Sequence, residues 1–108
     1  MVFNKYFDKI KKQFQDTDIS DIPGFLAIQI TLTGTKEETG TFYIEVKDGK
    51  LSIEPYEYND RNVAITISAA DFDKLIKGKL DPVLAFTIGK LKAEGDLGKA
   101  LELKKFIK

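Results

Sequence analysis

The chain contains no cysteine and no histidine. Without cysteine there is no disulfide framework, no thiolate nucleophile and no cysteine-bound zinc, a composition that fits a reducing compartment. Without histidine, the commonest metal ligand and the commonest general base are both missing. Arginine is nearly absent as well: of 17 lysines and arginines only Arg61 is an arginine, and 17 acids balance them. Zero formal charge and a single guanidinium argue against nucleic acid, whose recognition rests on a strong basic field and on arginine forks. No apolar run approaches the ~20 residues of a membrane span. The opening Met1–Lys12 segment carries charges where a signal peptide needs its apolar run, and the C-terminal Lys105-Phe106-Ile107-Lys108 is not a small-basic-leucine peroxisomal address. These absences predict a soluble cytoplasmic protein that binds rather than catalyses, with no cofactor, no metal and no nucleic-acid partner. A length of 108 residues allows one domain, able to bury roughly two thirds of its extended surface.

What is present is strongly patterned. Phe3, Phe7, Ile10 and Phe14 recur at helical spacing, predicting an opening helix of about three to four turns with one apolar stripe. Lys5, Lys9, Lys11 and Lys12 lie off that stripe, which reads as a solvated face on a docked helix. The same face offers a second role, transient contact with an anionic membrane surface. Asp16, Asp18 and Asp21 do not make a calcium loop, because Ser20 holds the third ligand position and Asp21 the place of the glycine. A polar connector ending at Pro23-Gly24 accounts for them better.

From Phe25 the period changes to two. Leu26, Ile28, Ile30 and Leu32 share one face of a strand, with Ala27, Gln29, Thr31 and Thr33 on the other. After a polar loop from Gly34 to Gly40, which lacks the spacing of a phosphate loop, Phe42, Ile44 and Val46 alternate in a second strand. Asp48-Gly49 is a two-residue hairpin signal. It predicts Lys47 opposite Lys50, Val46 opposite Leu51, Glu45 opposite Ser52 and Ile44 opposite Ile53, which sets apolar against apolar. Pro55 makes the third strand an edge or ends it. Val63–Ile67 alternates again as a fourth strand, and the opposite sheet face, carrying Thr, Gln, Glu and Lys, is free to be wet.

Ser68–Leu103 is the most heavily punctuated stretch. Ser68 with Asp71 forms a helix start; Phe72, Leu75 and Ile76 share a face until Gly78. Asp81-Pro82 begins a second helix with proline at its first position, ending at Gly89. From Val83 to Ile88 only Thr87 is polar, so that helix is expected to be enclosed on more than one side. Leu91 and Ala93 alternate in a fifth strand, and Asp96 caps a last helix with Leu97, Ala100 and Leu101.

Within that stretch, Gly78-Lys79-Leu80-Asp81-Pro82, Ala85-Phe86, Gly89-Lys90-Leu91-Lys92, Gly95-Asp96 and Ala100-Leu101 resemble the C-terminal signature of the sterol carrier protein type 2 domain, the intracellular non-specific lipid-transfer fold. Lys47-Asp48-Gly49 after a strand, and the strand closing into Ser68–Phe72, follow the same pattern, so the resemblance covers about residues 25 to 105. It implies an α+β fold: a five-stranded, mainly antiparallel sheet with helices covering one face and a hydrophobic cavity between them. It also implies fatty acid, fatty acyl-CoA, phospholipid or sterol as ligand. By position, the helical walls would be Phe72, Leu75, Ile76, Leu80, Val83, Leu84, Phe86 and Ile88, with Leu97 and Leu101 on the closing helix and Ile28, Ile30, Ile65 and Ile67 as the floor. The short chain and the lysines near its end depart from the pattern and favour an acyl chain over a sterol.

Energetics limit what such a cavity can be. At about 24 cal/mol per Å³, an empty dry pocket of about 500 Å³ would cost ~12 kcal/mol, comparable to the whole stability of a domain. The cavity is therefore expected to be collapsed, partly wet or filled. The rival expectation is a non-catalytic assembly subunit, since similar domains sit at the C-termini of some alkyl sulfatases and acetyltransferases. Either way the chain is expected to be a monomer or weak dimer.

Overall fold

Asp48 and Gly49 both adopt positive φ, 53° and 74°, which is what a tight two-residue hairpin turn requires. In this computed structural model, which describes residues 2–22 and 24–107, the turn joins β2 (Gly40–Lys47) to β3 (Lys50–Glu54) in the register that apolar matching demands: Ile44 faces Ile53 and Val46 faces Leu51. Pro23, half of the expected connector signal, lies outside the described residues. The remaining strands are β1 (Leu26–Thr33), β4 (Val63–Ser68) and β5 (Leu91–Gly95), in the sheet order β3-β2-β1-β4-β5. β1 pairs antiparallel with β2 and parallel with β4, placing Ile30 beside Ile65 and Leu32 beside Ile67. β5 returns antiparallel to β4, with Ala93 opposite Ile65 and Leu91 opposite Ile67. The sheet is thus mixed and mostly antiparallel. β3 is an edge strand that ends before Pro55, and β5 is the other edge.

One face of this sheet carries the core. Leu26, Ile28, Ile30, Leu32, Phe42, Ile44, Val46, Ile53, Val63, Ile65 and Ile67 are all buried there. Two helices cover much of it. α1 (Phe3–Phe14) buries Phe7, Ile10 and Phe14, and also Tyr6, which the four-residue stripe did not include. Phe14 packs its ring 5.5 Å from Phe106 and 6.4 Å from Phe72 of α2 (Ala69–Ile76). Two polar contacts pin α1 to α2: the Tyr6 hydroxyl donates to Asp73 Oδ1 at 3.2 Å, and Gln13 Nε2 donates to the Ile76 carbonyl at 3.2 Å.

The opposite sheet face is wet only in part. The loop after β3 folds back across it, with the Tyr58 amide donating to Gln29 Oε1 at 3.0 Å and its ring set edge-on to Tyr43 at 5.0 Å. Asn62 completes the strap, accepting from the Ala27 amide through Oδ1 at 2.7 Å and donating its own amide to the Ala27 carbonyl at 2.8 Å. Among the described residues no helix is long and apolar enough to cross a membrane.

Candidate functional site

The site is built by three helix starts, each set by a local side chain. Ser68 Oγ accepts from the Asp71 amide at 3.1 Å and begins α2 as soon as β4 ends. Asp81 Oδ2 accepts from the Leu84 amide at 2.9 Å, and Pro82 occupies the first position of α3 (Pro82–Thr87), where its missing N–H leaves no bond unmade. Asp96 Oδ1 accepts from the Lys99 amide at 3.1 Å and starts α4 (Leu97–Ala100), which tightens into a 3-10 helix over Leu101–Phe106. Gly78 and Gly89, both at positive φ, follow α2 and α3. The caps hold α3 and α4 at the β4-β5 end of the sheet, where α3 packs on β5.

Between these elements lies a half-open hollow of about 270 Å³. Ile65, Leu91 and Ala93 of the sheet line it, together with Pro82, Val83 and Phe86 of α3 and Leu97, Gly98, Ala100, Leu101 and Leu103 of the closing segment. None of these side chains carries a charge or a hydrogen-bonding group. The hollow therefore offers no proton donor, nucleophile or metal ligand, and its chemistry is confined to removing apolar surface from water.

The expected enclosure of α3 is not what the fold provides. Of its apolar run only Ala85 is buried, whereas Val83, Leu84, Phe86 and Ile88 are 44%, 51%, 45% and 54% exposed. The physical reason is position: α3 sits on β5, an edge strand, and among the described residues no further strand lies beyond that edge. Across the hollow, Leu97 and Leu101 are about as exposed as Phe86.

The fourteen residues singled out from the sequence fall into three groups. Ile65, Val83, Phe86, Leu97 and Leu101 line the hollow. Ile28, Ile30, Ile67, Phe72, Leu75 and Ile76 are buried in the close-packed core and do not reach it, while Leu80 is half-buried against that core. Leu84 and Ile88 face solvent outside it. The sequence reading missed Leu91 and Ala93 as lining. Their inward alternation on β5 was legible, but their place beside Ile67 and Ile65 depends on the β4-β5 pairing.

Lysines tie the closing segment down. Lys99 Nζ donates to the Phe25 carbonyl at 2.8 Å, and Lys105 Nζ lies 2.9 Å from Glu102 Oε2 and 3.0 Å from Asp21 Oδ2. Hydrogen bonds with Glu102 and Asp21 hold the Lys105 ammonium above its usual pKa. A broader depression, about 690 Å³ and lined partly by Lys47, Asp48, Tyr58 and Asp60, is polar and more open. Beside it, the Tyr58 hydroxyl donates to Glu45, and that bond pushes the phenol up to about 12.

A family model described as the SCP-2 sterol transfer family matches residues 3–108. Hydroxysteroid dehydrogenase-like protein 2 of Xenopus tropicalis is 38% identical over 80 residues, covering 73% of this chain and 19% of that protein. The solution structure of the sterol carrier protein domain 2 of Helicoverpa armigera superposes with a TM-score of 0.66 at 31% identity, covering 92% of this chain and 80% of that one. The sec-alkylsulfatase Pisa1 of Pseudomonas contains the same fold, with a TM-score of 0.74 at 16% identity over 99% of this chain and 16% of the sulfatase. The chain spans 19% to 24% of the length of the first curated relatives it matches.

Proposed function

The chain belongs to the SCP-2 sterol transfer family, and from that premise we propose that it binds the apolar tail of a lipid in the hollow between β4, β5, α3 and α4. One observation carries the reading: a concave site whose eleven lining residues are all apolar, opening at a rim of half-exposed leucine, valine and phenylalanine side chains. If dry and empty, about 270 Å³ would cost roughly 6 kcal/mol. Being half open, the hollow fills with water instead, and that water is displaced by hydrocarbon at a gain of about 0.8 kcal/mol per methylene. A twelve-carbon tail returns up to ~10 kcal/mol gross, less several kcal/mol of association cost, which places binding near the micromolar range.

The volume lies just under the ~300–1,000 Å³ of most small-molecule pockets, and this favours a thin, flexible acyl chain over a rigid sterol. Fatty acid, fatty acyl-CoA and phospholipid all supply such a chain, and with no polar group among the lining residues the headgroup stays in water. Ile65, Val83, Phe86, Leu97 and Leu101 contact the tail directly. Ile28, Ile30, Ile67, Phe72, Leu75, Ile76 and Leu80 lie deeper and join only when the short helices part to admit a longer chain. The domain acts by binding, since the hollow presents no group that could do chemistry.

The relatives in which similar domains form part of a dehydrogenase-like protein and a sulfatase favour a second reading, an assembly module using the same apolar rim. Solvent extraction of the purified protein followed by mass spectrometry, with thermal melts in the presence of fatty acid or acyl-CoA, separates the two. Lipid binding predicts an extractable acyl lipid or a raised Tm. Clean extracts and an unchanged Tm contradict it.

A further inference from the structure

The edge strand β5 carries two charges that the fold does not use. Lys92 and Glu94 are exposed, and among the described residues neither has an ion-pair partner within the chain. Their neighbours on β4, Thr66 and Ala64, are uncharged. Both side chains lie on the sheet face opposite the hollow, since Leu91 and Ala93, which alternate with them, line it. Leu84 and Ile88 of α3, the helix packed on β5, are left over as well: one helical turn apart, half-exposed and outside the hollow. We propose that β5 pairs antiparallel with β5 of a second copy of the chain, about a two-fold axis through Ala93, joining the two five-stranded sheets into one. The pairing uses the free edge and outer face of β5 and does not rest on lipid binding.

Charge selects both the partner and the register. Antiparallel neighbours set residues of one face against each other, so the axis passes through a residue and not between two. An axis at Lys92 or Glu94 would place that residue directly opposite its own copy, like charge against like. An axis at Leu91 would oppose Lys92 to the partner's Lys90, and one at Gly95 would oppose Glu94 to the partner's Asp96. An axis at Ala93 instead sets Lys92 opposite the partner's Glu94, and Glu94 opposite the partner's Lys92. On the core face the same register sets Leu91 against the partner's Gly95, which has no side chain to collide with it. Lysine on an edge strand ordinarily discourages pairing. With a glutamate two residues further on, it favours a strand of this same sequence running the other way.

Five paired residues alone would hold weakly. The α3 helices supply the rest, because a two-fold axis normal to the sheet keeps both on one face and brings Leu84 and Ile88 of each to the seam. The opposite edge does not serve. Glu54 of β3 pairs with Tyr43 and so faces away from the core, yet its carboxylate lies 3.3 Å from Lys11 Nζ of α1, which covers the core face. That ion pair therefore wraps the β3 edge.

The test is sedimentation equilibrium of the ligand-free protein from about 10 µM to about 1 mM, for the wild type, K92E, E94K, the swap K92E/E94K and L84D/I88D. All four positions are exposed, so every variant is expected to keep the wild-type circular dichroism. The expected result is a wild-type dimer whose Kd rises at least tenfold in K92E, in E94K and in L84D/I88D, and returns to within threefold of wild type in the swap. An equimolar mixture of K92E and E94K should dimerise like the wild type, because each supplies the charge that the other lacks. A wild type that stays monomeric to 1 mM overturns the proposal. In that event pelleting with phosphatidylcholine vesicles that L84D/I88D abolishes would assign the α3 ridge to a lipid surface. A dimer indifferent to K92E and E94K, or one weakened by them and restored by neither the swap nor the mixture, overturns it too.

Discussion

A carboxylate at position 86 would sit at the lip of the hollow, facing the space that Ile65, Val83, Leu97 and Leu101 also line. Phe86→Asp should therefore weaken binding of a C12 fatty acid at least tenfold in a fluorescence titration. Because Phe86 is 45% exposed, its removal should leave stability within about 1 kcal/mol of wild type, which separates loss of the site from loss of the fold. Gly40 makes the opposite kind of case. A Cβ there would run into the Phe3 ring of α1, so Gly40→Ala should destabilise by about 1–3 kcal/mol in urea unfolding without a specific effect on binding. Ser68, Asp81 and Asp96 were readable as caps because a cap is a contact between residues three apart. The demand on Gly40 was not readable, since the ring that imposes it comes from α1, an element distant in sequence.

Helix α1 is held by its stripe, and Phe14, packed against Phe72 and Phe106, is its largest fully buried side chain. Phe14→Ala should cost about 3–5 kcal/mol by chemical denaturation. The polar pin between α1 and α2 gives the fold an acid limit. Burial pushes the Asp73 carboxyl up, but hydrogen bonds from Lys77 and Tyr6 outweigh it and hold the group below its usual value. Asp18 and Glu38 are also lowered, each by a bond from a nearby backbone amide, Ser20 and Thr35 respectively. Carboxyls depressed in the folded chain bind fewer protons there than in the unfolded chain. Their stabilisation is present above the ordinary values of 3.8 and 4.5 and is lost as pH falls through the folded ones. Lys105, raised above 10.5, has the reverse sign: its contribution is full below that value and lost as pH rises through the folded one. Thermal melts should show Tm falling below about pH 4 and again in strong alkali, with no histidine to impose a step between. For α3 the periodicity named the apolar residues correctly but misjudged their surroundings. A pattern states what a helix can bury, whereas β5 being an edge strand decides what there is to bury it against.

At the scale of the whole molecule, the hairpin register, the five strands, the order of helices and the two-sided character of the sheet were all legible, because each follows from neighbouring residues. The parallel pairing of β1 with β4 was not, since nothing local states which strand will lie beside Leu26–Thr33 after β2 and β3 have turned away. That pairing decides the site. It places β4 between the core and β5, so Ile65 and Ala93 face the hollow while Ile28 and Ile30 are buried within the core. The same arrangement explains why so much of the expected lining turned out to be core: the sheet is wide enough for α1 and α2 to cover one part, and the hollow occupies what remains under α3 and α4. We propose that this remainder holds a hydrocarbon tail by burial alone. It is tested most directly by titrating the protein with saturated fatty acids of increasing length at constant headgroup. Burial predicts a Kd that falls by about fourfold with each added methylene until the hollow is filled, and a much flatter dependence in Phe86→Asp. An affinity that does not change with chain length, or that follows the headgroup instead, would contradict binding by burial.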